Sequence, residues 1–594
     1  MISLRELPNT LTISQKYFIE RALELVNSKT VDTYRARLHN PRTILQELHQ
    51  VLIDWDKNKL KRFETAKRVI DESLLLIEIE KELTFNSINK EYFIELLKNA
   101  QDKLYKKLIA ATQVILRTNE HYIASIFEKT KNEINSCNTN QNLQAYELLE
   151  LERLTGLLVT ELLHLGYSKT YLNNIIFLIF AKNNKNNTFD QCFQSFAQLK
   201  DKEEEEFSVI FKLIIPKEDL RNQLLIIEEP NIDYDQEQIT AFIKQTNSQG
   251  RRFLEISEGF SKHLLIRVHS KDGYTVIEKA KEKLSEILDR IFLGYNQPNI
   301  RVYKEALTIS VNRPEKAKSN PVNYLIFGSY VSNQSLYETL QKKLSIIFKN
   351  ALISNDTKQK IKSSIRYLRL GNGSTELEQK FLNYWIGLEF IFATSVKDIS
   401  SFSRLIENFP NSHQLIYFKR NIKEFHEDIK RLKINSDLTF FDEEYPKYLN
   451  EETNYDFIKE KYLHTRPILA FRAYQLKSTL FQKERRLKKI KRHRKDLEWN
   501  LARIYRIRNE IIHEAALKPN IARISSHIRY YLTFMIISLI EFLEDSPLDV
   551  NSDRQVTIDD FFILQNLHFE SNKKKGFAVD DIFKIKNPVE IFNE

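Results

Sequence analysis

Residues that interrupt helices are scarce in this chain: 594 residues hold only 11 glycines and 13 prolines. Leucine, isoleucine, lysine, glutamate and asparagine are abundant instead, a balance that favours long helices with few sharp turns. Cysteine is nearly absent. Cys137 and Cys192 form no Cys-x-x-Cys pair and neighbour no histidine pair, which argues against a structural zinc site and for a reducing compartment. Both are expected to be small structural residues. No apolar run reaches the roughly eighteen residues a membrane span needs, so no membrane association is expected. The opening stretch carries Glu6 and no apolar segment, so a secretory signal is not expected and a cytoplasmic location is. Glycine-rich phosphate loops are missing as well: there is no Gly-x-Gly-x-x-Gly and no Gly-x-x-x-x-Gly-Lys-Ser/Thr, and no cofactor is expected.

What the chain does have is charge, unevenly placed. Its 90 basic and 80 acidic residues leave a net +10. The stretch Lys483 to Lys495, KERRLKKIKRHRK, holds nine basic residues and one acid, so most of the excess sits there. Such a block is an electrostatic footprint for a polyanion, with a solvated helix face as the plain alternative. Its Lys483, Arg485, Arg486, Lys488, Lys489, Lys491, Arg492, Arg494 and Lys495 are the candidate RNA-backbone contacts.

The pattern along the chain predicts a mainly α protein in four parts. Residues 1–200 read as a helical scaffold or sensor, with Ile19, Leu23 and Val26, or Leu74, Leu75, Ile77 and Ile79, near helical spacing. Asn-rich stretches at 135–142 and 182–188 read as loops. The acidic run from Asp201 to Glu206 marks a boundary. Beyond it, 207–215, 263–270 and 300–311 have strand character, with a helix over 276–292, giving a small α/β module over 201–330. His263 and His269 flank a strand there, in surface or packing roles. Residues 331–550 return to helices: 335–350, 357–370, a turn at 371–374, and a strong helix over 376–393. On that last helix Leu377, Phe381, Trp385, Leu388 and Phe392 share one face. Residues 400–465 read as a polar insertion, 467–516 as a long helical stretch with room for a break, 522–545 as a final apolar helix, and 551–594 as a mixed tail.

Within the long stretch lies Arg508-Asn509-Glu510-Ile511-Ile512-His513. An arginine followed after four to six residues by a histidine is a cheap pattern. With 33 arginines and 13 histidines, chance supplies about two such pairs. Five occur: Arg42/His49, Arg420/His426, Arg486/His493, Arg506/His513 and Arg508/His513. Context has to choose among them. Arg42 follows a proline in a region without a matching helical frame. Arg486/His493 lies inside the basic run. Arg420/His426, with Asn421 after the arginine, is the serious decoy, on a helix that reads as solvent-exposed.

The text ARIYRIRNEIIHEA over 502–515 resembles the closing part of Apea-like HEPN domains, where an apolar-aromatic helix leads into Arg-Asn-x-x-x-His. KFLNYWIGLEFIFA over 380–393 resembles their first core helix. The resemblance covers about residues 335–545. It implies a helical bundle acting as a metal-independent endoribonuclease, working as a homodimer or higher homo-oligomer so that two motifs face each other, and leaving 2′,3′-cyclic phosphate ends. It also implies a role in bacterial antiphage defence by abortive infection, answering to a phage-derived trigger or regulatory partner. A toxin of a toxin–antitoxin pair, and a non-catalytic RNA-binding or scaffold protein, are the alternatives.

Helical geometry adds detail. Ile504, Ile507, Ile511 and Ala515 share a core-facing stripe, and Arg506, Asn509 and His513 fall opposite. Arg508 lies at the stripe's edge and needs a partner, since an unpaired buried charge is costly. Glu389, beside Trp385, is the expected partner. Histidine exchanges protons near neutral pH and suits acid or base work. Arginine keeps its proton and suits phosphate binding. Asparagine can position either. Tyr505, Tyr530 and Tyr531 read as packing residues, with base stacking as the alternative.

Overall fold

The computed structural model describes residues 7–27, 39–60, 63–101, 104–140, 143–182, 187–216, 218, 231–255, 261–294, 300–322, 334–374, 376–394, 400–442, 446–514, 521–544 and 554–585. The fold is mainly helical with one small antiparallel sheet. Contacts divide the chain into two units: Met1–Leu25 with Lys29–Leu157 and Ile326–Glu594, and Val26–Ser28 with Leu158–Leu325. The sequence reading separates 1–200 from 331–550; the contacts place most of both in the first unit. No helix among the described residues is long and apolar enough to cross a membrane.

The first unit begins with α1 (Ile13–Leu25), α2 (Pro41–Asp56), α3 (Phe63–Glu78), α4 (Lys90–Lys98), α5 (Tyr105–Thr118), α6 (Tyr122–Thr139) and the start of α7 (Leu149–His164). Helix α2 starts where its sequence says it must. Pro41 occupies the first turn, and Asn40 and Thr43 form a reciprocal capping box. That fixed start places Glu47 two turns into the helix. On α3 the buried stripe is Ala66, Val69, Ile70, Ser73, Leu76 and Ile77, while Ile79 lies exposed. The Asn-rich stretch at 135–142 is helical as far as Thr139, because nothing before that residue breaks α6.

The second unit holds the rest of α7, then α8 (Lys169–Phe177), α9 (Phe189–Ala197), β1 (Glu205–Ile214), β2 (Ile232–Asp233), α10 (Gln236–Lys244), α11 (Ser248–Glu255), β3 (Ser261–Ser270), α12 (Thr275–Gly294), β4 (Arg301–Ser310) and β5 (Arg313–Pro321). Strand order is β2-β3-β1-β4-β5, with every pairing antiparallel. Central β1 is covered on both faces. Val209, Phe211 and Leu213 meet α12, and Ile210 meets α10 and α11. This explains its nearly unbroken apolar run. Its one buried cation, Lys212, donates to the Phe253 carbonyl at 2.9 Å. Facing Lys212 in the register, half-buried His263 is pushed down to about 4 by burial and then by that lysine. Strand β5 was not legible, because its exposed Arg-Pro-Glu-Lys segment has no apolar alternation.

The first unit resumes with α13 (Gln334–Lys349), α14 (Asn355–Gly373), α15 (Leu377–Phe392), α16 (Ser401–Leu415), α17 (Tyr417–Arg431), α18 (Glu452–Tyr462), α19 (Pro467–Leu480), α20 (Lys483–Glu514), α21 (Ile521–Glu544), α22 (Ile558–Lys574) and α23 (Val579–Lys584). The polar segment over 400–465 is thus largely helical. The expected turn at 371–374 is instead the last turn of α14, closed by Ser374. Gly371 serves packing: a Cβ there would run into the Tyr384 ring. Gly387 is crowded, less tightly, by Leu532 and Tyr367, and its carbonyl accepts from Ser364. Small residues therefore let α14 and α15 approach closely. The core joins Phe381, Trp385, Leu388 and Phe392 of α15 to Leu497, Leu501, Ile504, Ile507 and Ile511 of α20 and to much of α21.

Candidate active site

Helix α20 carries both the basic run and the motif. It runs unbroken for 32 residues because nothing between Lys483 and Glu514 is glycine or proline. The interruption in the predicted stretch falls earlier, between α19 and α20. Ile504, Ile507 and Ile511 face the core as expected, and Ala515 lies outside the described residues.

At the end of this helix Arg508 and Asn509 are half-buried and His513 is exposed. Arg508 donates from Nη1 to the Asn509 Oδ1 at 3.0 Å. Its Nε, although buried, finds no acceptor among the described residues. Asn509 and His513 stand one helical turn apart on one face. Tyr505, a turn before Asn509, stacks on Phe402 at 4.0 Å between ring centroids and meets Trp385 at 5.6 Å. These rings tie the motif helix to α15 and α16.

Glu389 does not pair with Arg508. One of its oxygens accepts the Trp385 indole N–H at 2.8 Å, and the other accepts the Ser401 hydroxyl at 2.7 Å. Trp385 lies one turn before Glu389, so a bond within α15 takes the carboxylate that a bond to α20 would need. Arg506 departs from expectation too. It is buried rather than facing solvent, and its guanidinium binds Glu47 of α2.

That pair belongs to a cluster that no local sequence pattern announces. Arg503 donates to Glu47 through Nε (2.9 and 3.0 Å) and Nη2 (2.8 Å), and to Glu72 of α3 at 2.8 Å. His39, just before α2, sits 3.0 Å from Glu47. Burial alone would raise the Glu47 carboxyl, but Arg503, Arg506 and His39 hold it well below the usual range. His39 is pushed down by burial and by Arg503. Arg503 Nη1 is buried with no acceptor among the described residues. Neither glutamate could be singled out beforehand, since a lone acid on an amphipathic helix looks like any solvated one.

The basic run is less uniform than its composition. Lys483, Arg485, Lys488, Lys489, Lys491 and Lys495 are exposed. Arg486 is buried, bound to the Gly576 and Leu480 carbonyls. Arg492 pairs with Asp496 and lies over the Trp499 ring, and Arg494 pairs with Glu498 and Asn411. Six cations of the run are therefore presented to solvent.

The decoy pair comes apart. His426 is buried rather than solvent-facing, 3.1 Å from the Tyr448 hydroxyl and stacked on Phe441. Arg420 instead donates to Tyr530 and lies over its ring. Tyr530 touches His413 at 3.1 Å, and His413 touches His493 at 3.0 Å. Burial, followed by the neighbouring cations, drives both imidazoles down, His493 to about 3 and His413 well below its ordinary value. The pair is neutral and structural. Tyr531 is likewise a core residue, taking a bond from Asn500 at 2.7 Å.

No family model, curated protein or solved structure matches this chain. The functional reading is therefore carried by the residues and their geometry. Among the described residues no group of three or more histidine, cysteine or acidic side chains is placed to hold a metal ion.

Proposed function

We propose that the chain is a HEPN-type endoribonuclease that cleaves tRNA, rRNA or mRNA through the RNA's own 2′-hydroxyl, without a metal ion. The observation that carries this is the end of α20, where exposed His513 stands one turn from Asn509, which accepts from Arg508, whose buried Nε has no acceptor among the described residues. Arg508 binds the scissile phosphate and stabilises the charge that grows on it. His513 takes the proton of the 2′-hydroxyl or returns one to the departing 5′-oxygen. Asn509 fixes Arg508 through the bond already present. The 2′-oxygen forms a bond to phosphorus as the bond to the 5′-oxygen breaks, leaving a 2′,3′-cyclic phosphate and a 5′-hydroxyl. The site holds one histidine, and the second proton transfer falls to a second copy of the chain in a homodimer or larger assembly. Exposed cations of α20 hold the RNA backbone, with affinity that falls steeply as salt rises.

Such an activity is toxic unless controlled, which fits antiphage defence by abortive infection or, as a second setting, a toxin–antitoxin pair. The test compares wild type with His513→Ala in cells and on total RNA. Toxicity and cyclic-phosphate ends that vanish in the variant support the reading. Intact RNA with wild type under every trigger tried returns the chain to the other class, a non-catalytic RNA-binding or scaffold protein, which the six exposed cations would serve equally well.

A further inference from the structure

We propose that α2 and α3 gate this site: Glu47 and Glu72 occupy guanidinium groups that RNA phosphates take when RNA runs from the cationic face to His513. The inference rests on the RNA reading above and adds a means of control to it.

The geometry comes from one helix. Lys495 and His513 are eighteen residues apart on α20. At about 100° and 1.5 Å per residue they lie on the same face, about 27 Å apart. Lys488 and Lys491 extend that face away from the motif, and Ala502, Arg506 and Asn509 fill the span between. The two ends of the face are open, with Lys488, Lys491, Lys495 and His513 all exposed. Its middle is closed: Ala502 is 7% exposed, Arg506 8%, and neighbouring Arg503 5%. The groups on the two arginines are Glu47 of α2 and Glu72 of α3, with Glu510 of α20 itself 3.7 Å from Arg506. An RNA strand held by the lysines therefore meets Glu47 before it reaches His513.

The chemistry of the closed patch is that of a phosphate site with another anion in it. Arginine forks accept carboxylate and phosphate in the same bidentate geometry. Glu47 bridges both guanidinium groups, Glu72 holds Arg503, and His39 lies 3.0 Å from Glu47. The arrangement still leaves Arg503 Nη1 without an acceptor. A structural tie alone would be built as well by one ion pair. Here both acids hold Arg503 and Glu47 also holds Arg506, the two arginines that would complete a continuous cationic path.

The test measures binding by fluorescence anisotropy of a labelled single-stranded RNA of about 20 nucleotides across a KCl series, in a His513→Ala background so that the probe stays intact. Removing the competing acids with Glu47→Gln/Glu72→Gln should tighten binding. It should also steepen the slope of log Kobs against log salt by about 1.4, the value for two added phosphate contacts on a single strand. Adding Arg503→Gln/Arg506→Gln should erase the gain. Equal slopes with and without the acids would overturn the gate. Because the glutamine variants weaken a buried cluster, a second measurement leaves that cluster intact: hydrogen exchange of 41–56 and 63–78 in the His513→Ala chain should quicken when the RNA binds. Unchanged or slower exchange also overturns it. The two readings fail separately. A slope difference without cleavage by wild type removes the nuclease and keeps the gate. Cleavage with equal slopes removes the gate and keeps the nuclease. No binding by any variant overturns both the gate and the RNA reading.

Discussion

The two touching histidines at 413 and 493 make the first unit sensitive to acid, by an amount that follows from their burial. A histidine has an ordinary value of about 6.5 when the chain is unfolded, and His493 is held at about 3 in the fold. Between those values the unfolded chain binds a proton that the folded chain refuses, so stability falls as pH drops below about 6.5. From pH 7 to pH 5 the linkage amounts to about 2 kcal/mol for His493, and His413 is shifted in the same direction. A buried acid works the other way. Glu20 of α1 accepts the Ile468 N–H at the start of α19 and is raised to about 7, by burial first. It binds its proton more tightly in the fold, so it gains about 2 kcal/mol over the same descent. His39 is pushed down as well, so each part is read by difference against wild type. All three tryptophans, Trp55, Trp385 and Trp499, lie in the first unit, so urea unfolding followed by tryptophan fluorescence reports on that unit alone. His493→Gln keeps a neutral polar side chain but does not titrate. It should lose about 2 kcal/mol less than wild type between pH 7 and pH 5, and Glu20→Gln about 2 kcal/mol more. Parallel pH dependence for wild type and His493→Gln would show that the imidazole is not held neutral by the fold, and the account of this core would fail.

The remaining expectations are shorter. His513→Ala abolishes RNA cleavage while His426→Ala leaves it, since His426 is buried against Tyr448 and Phe441; the reverse result on total RNA would move the site to α17. Arg503→Met leaves Glu47 and Glu72 short of their main cation and costs about 3–5 kcal/mol in the same tryptophan-monitored unfolding, whereas Arg485→Met, on an exposed residue, stays within about 0.5 kcal/mol. Gly371→Ala forces the Tyr384 ring aside and destabilises by about 1–3 kcal/mol, while Gly373→Ala, with open space around it, is neutral or stabilising; equal effects at the two positions would refute the close-packing account of α14 and α15.

What could be read from the sequence was what one element writes by itself. Periodicity located α15 and α20 and their core faces, because Trp385, Leu388, Ile504 and Ile507 repeat at helical spacing. Of the four long strands, β1, β3 and β4 are legible from β-branched runs. The α14 glycines were misread as a turn because nothing local distinguishes a glycine that bends the chain from one that lets Tyr384 approach. Partners across the chain were beyond reach for the same reason. Glu389 sits at a fitting position on α15, but its oxygens go to Trp385 and Ser401, and the choice between them and Arg508 is made by three-dimensional distance. Arg506 shows the limit most clearly: its helical angle sets it with His513, and an acid more than four hundred residues earlier decides that it is buried.

That last point changes what the basic run means. Read along the sequence, KERRLKKIKRHRK leads straight into the motif. In the fold, only six of its nine cations are exposed, and the span between them and His513 is closed by Glu47 and Glu72. A ligand that touched only the lysines would gain affinity without reaching the histidine, and one that touched only the histidine would lack the lysines' charge. Engaging both requires either an RNA that arches over about 27 Å or displacement of α2 and α3. The second course couples binding to a change in the N-terminal helices, and gives those helices a reason to share a compact unit with the motif.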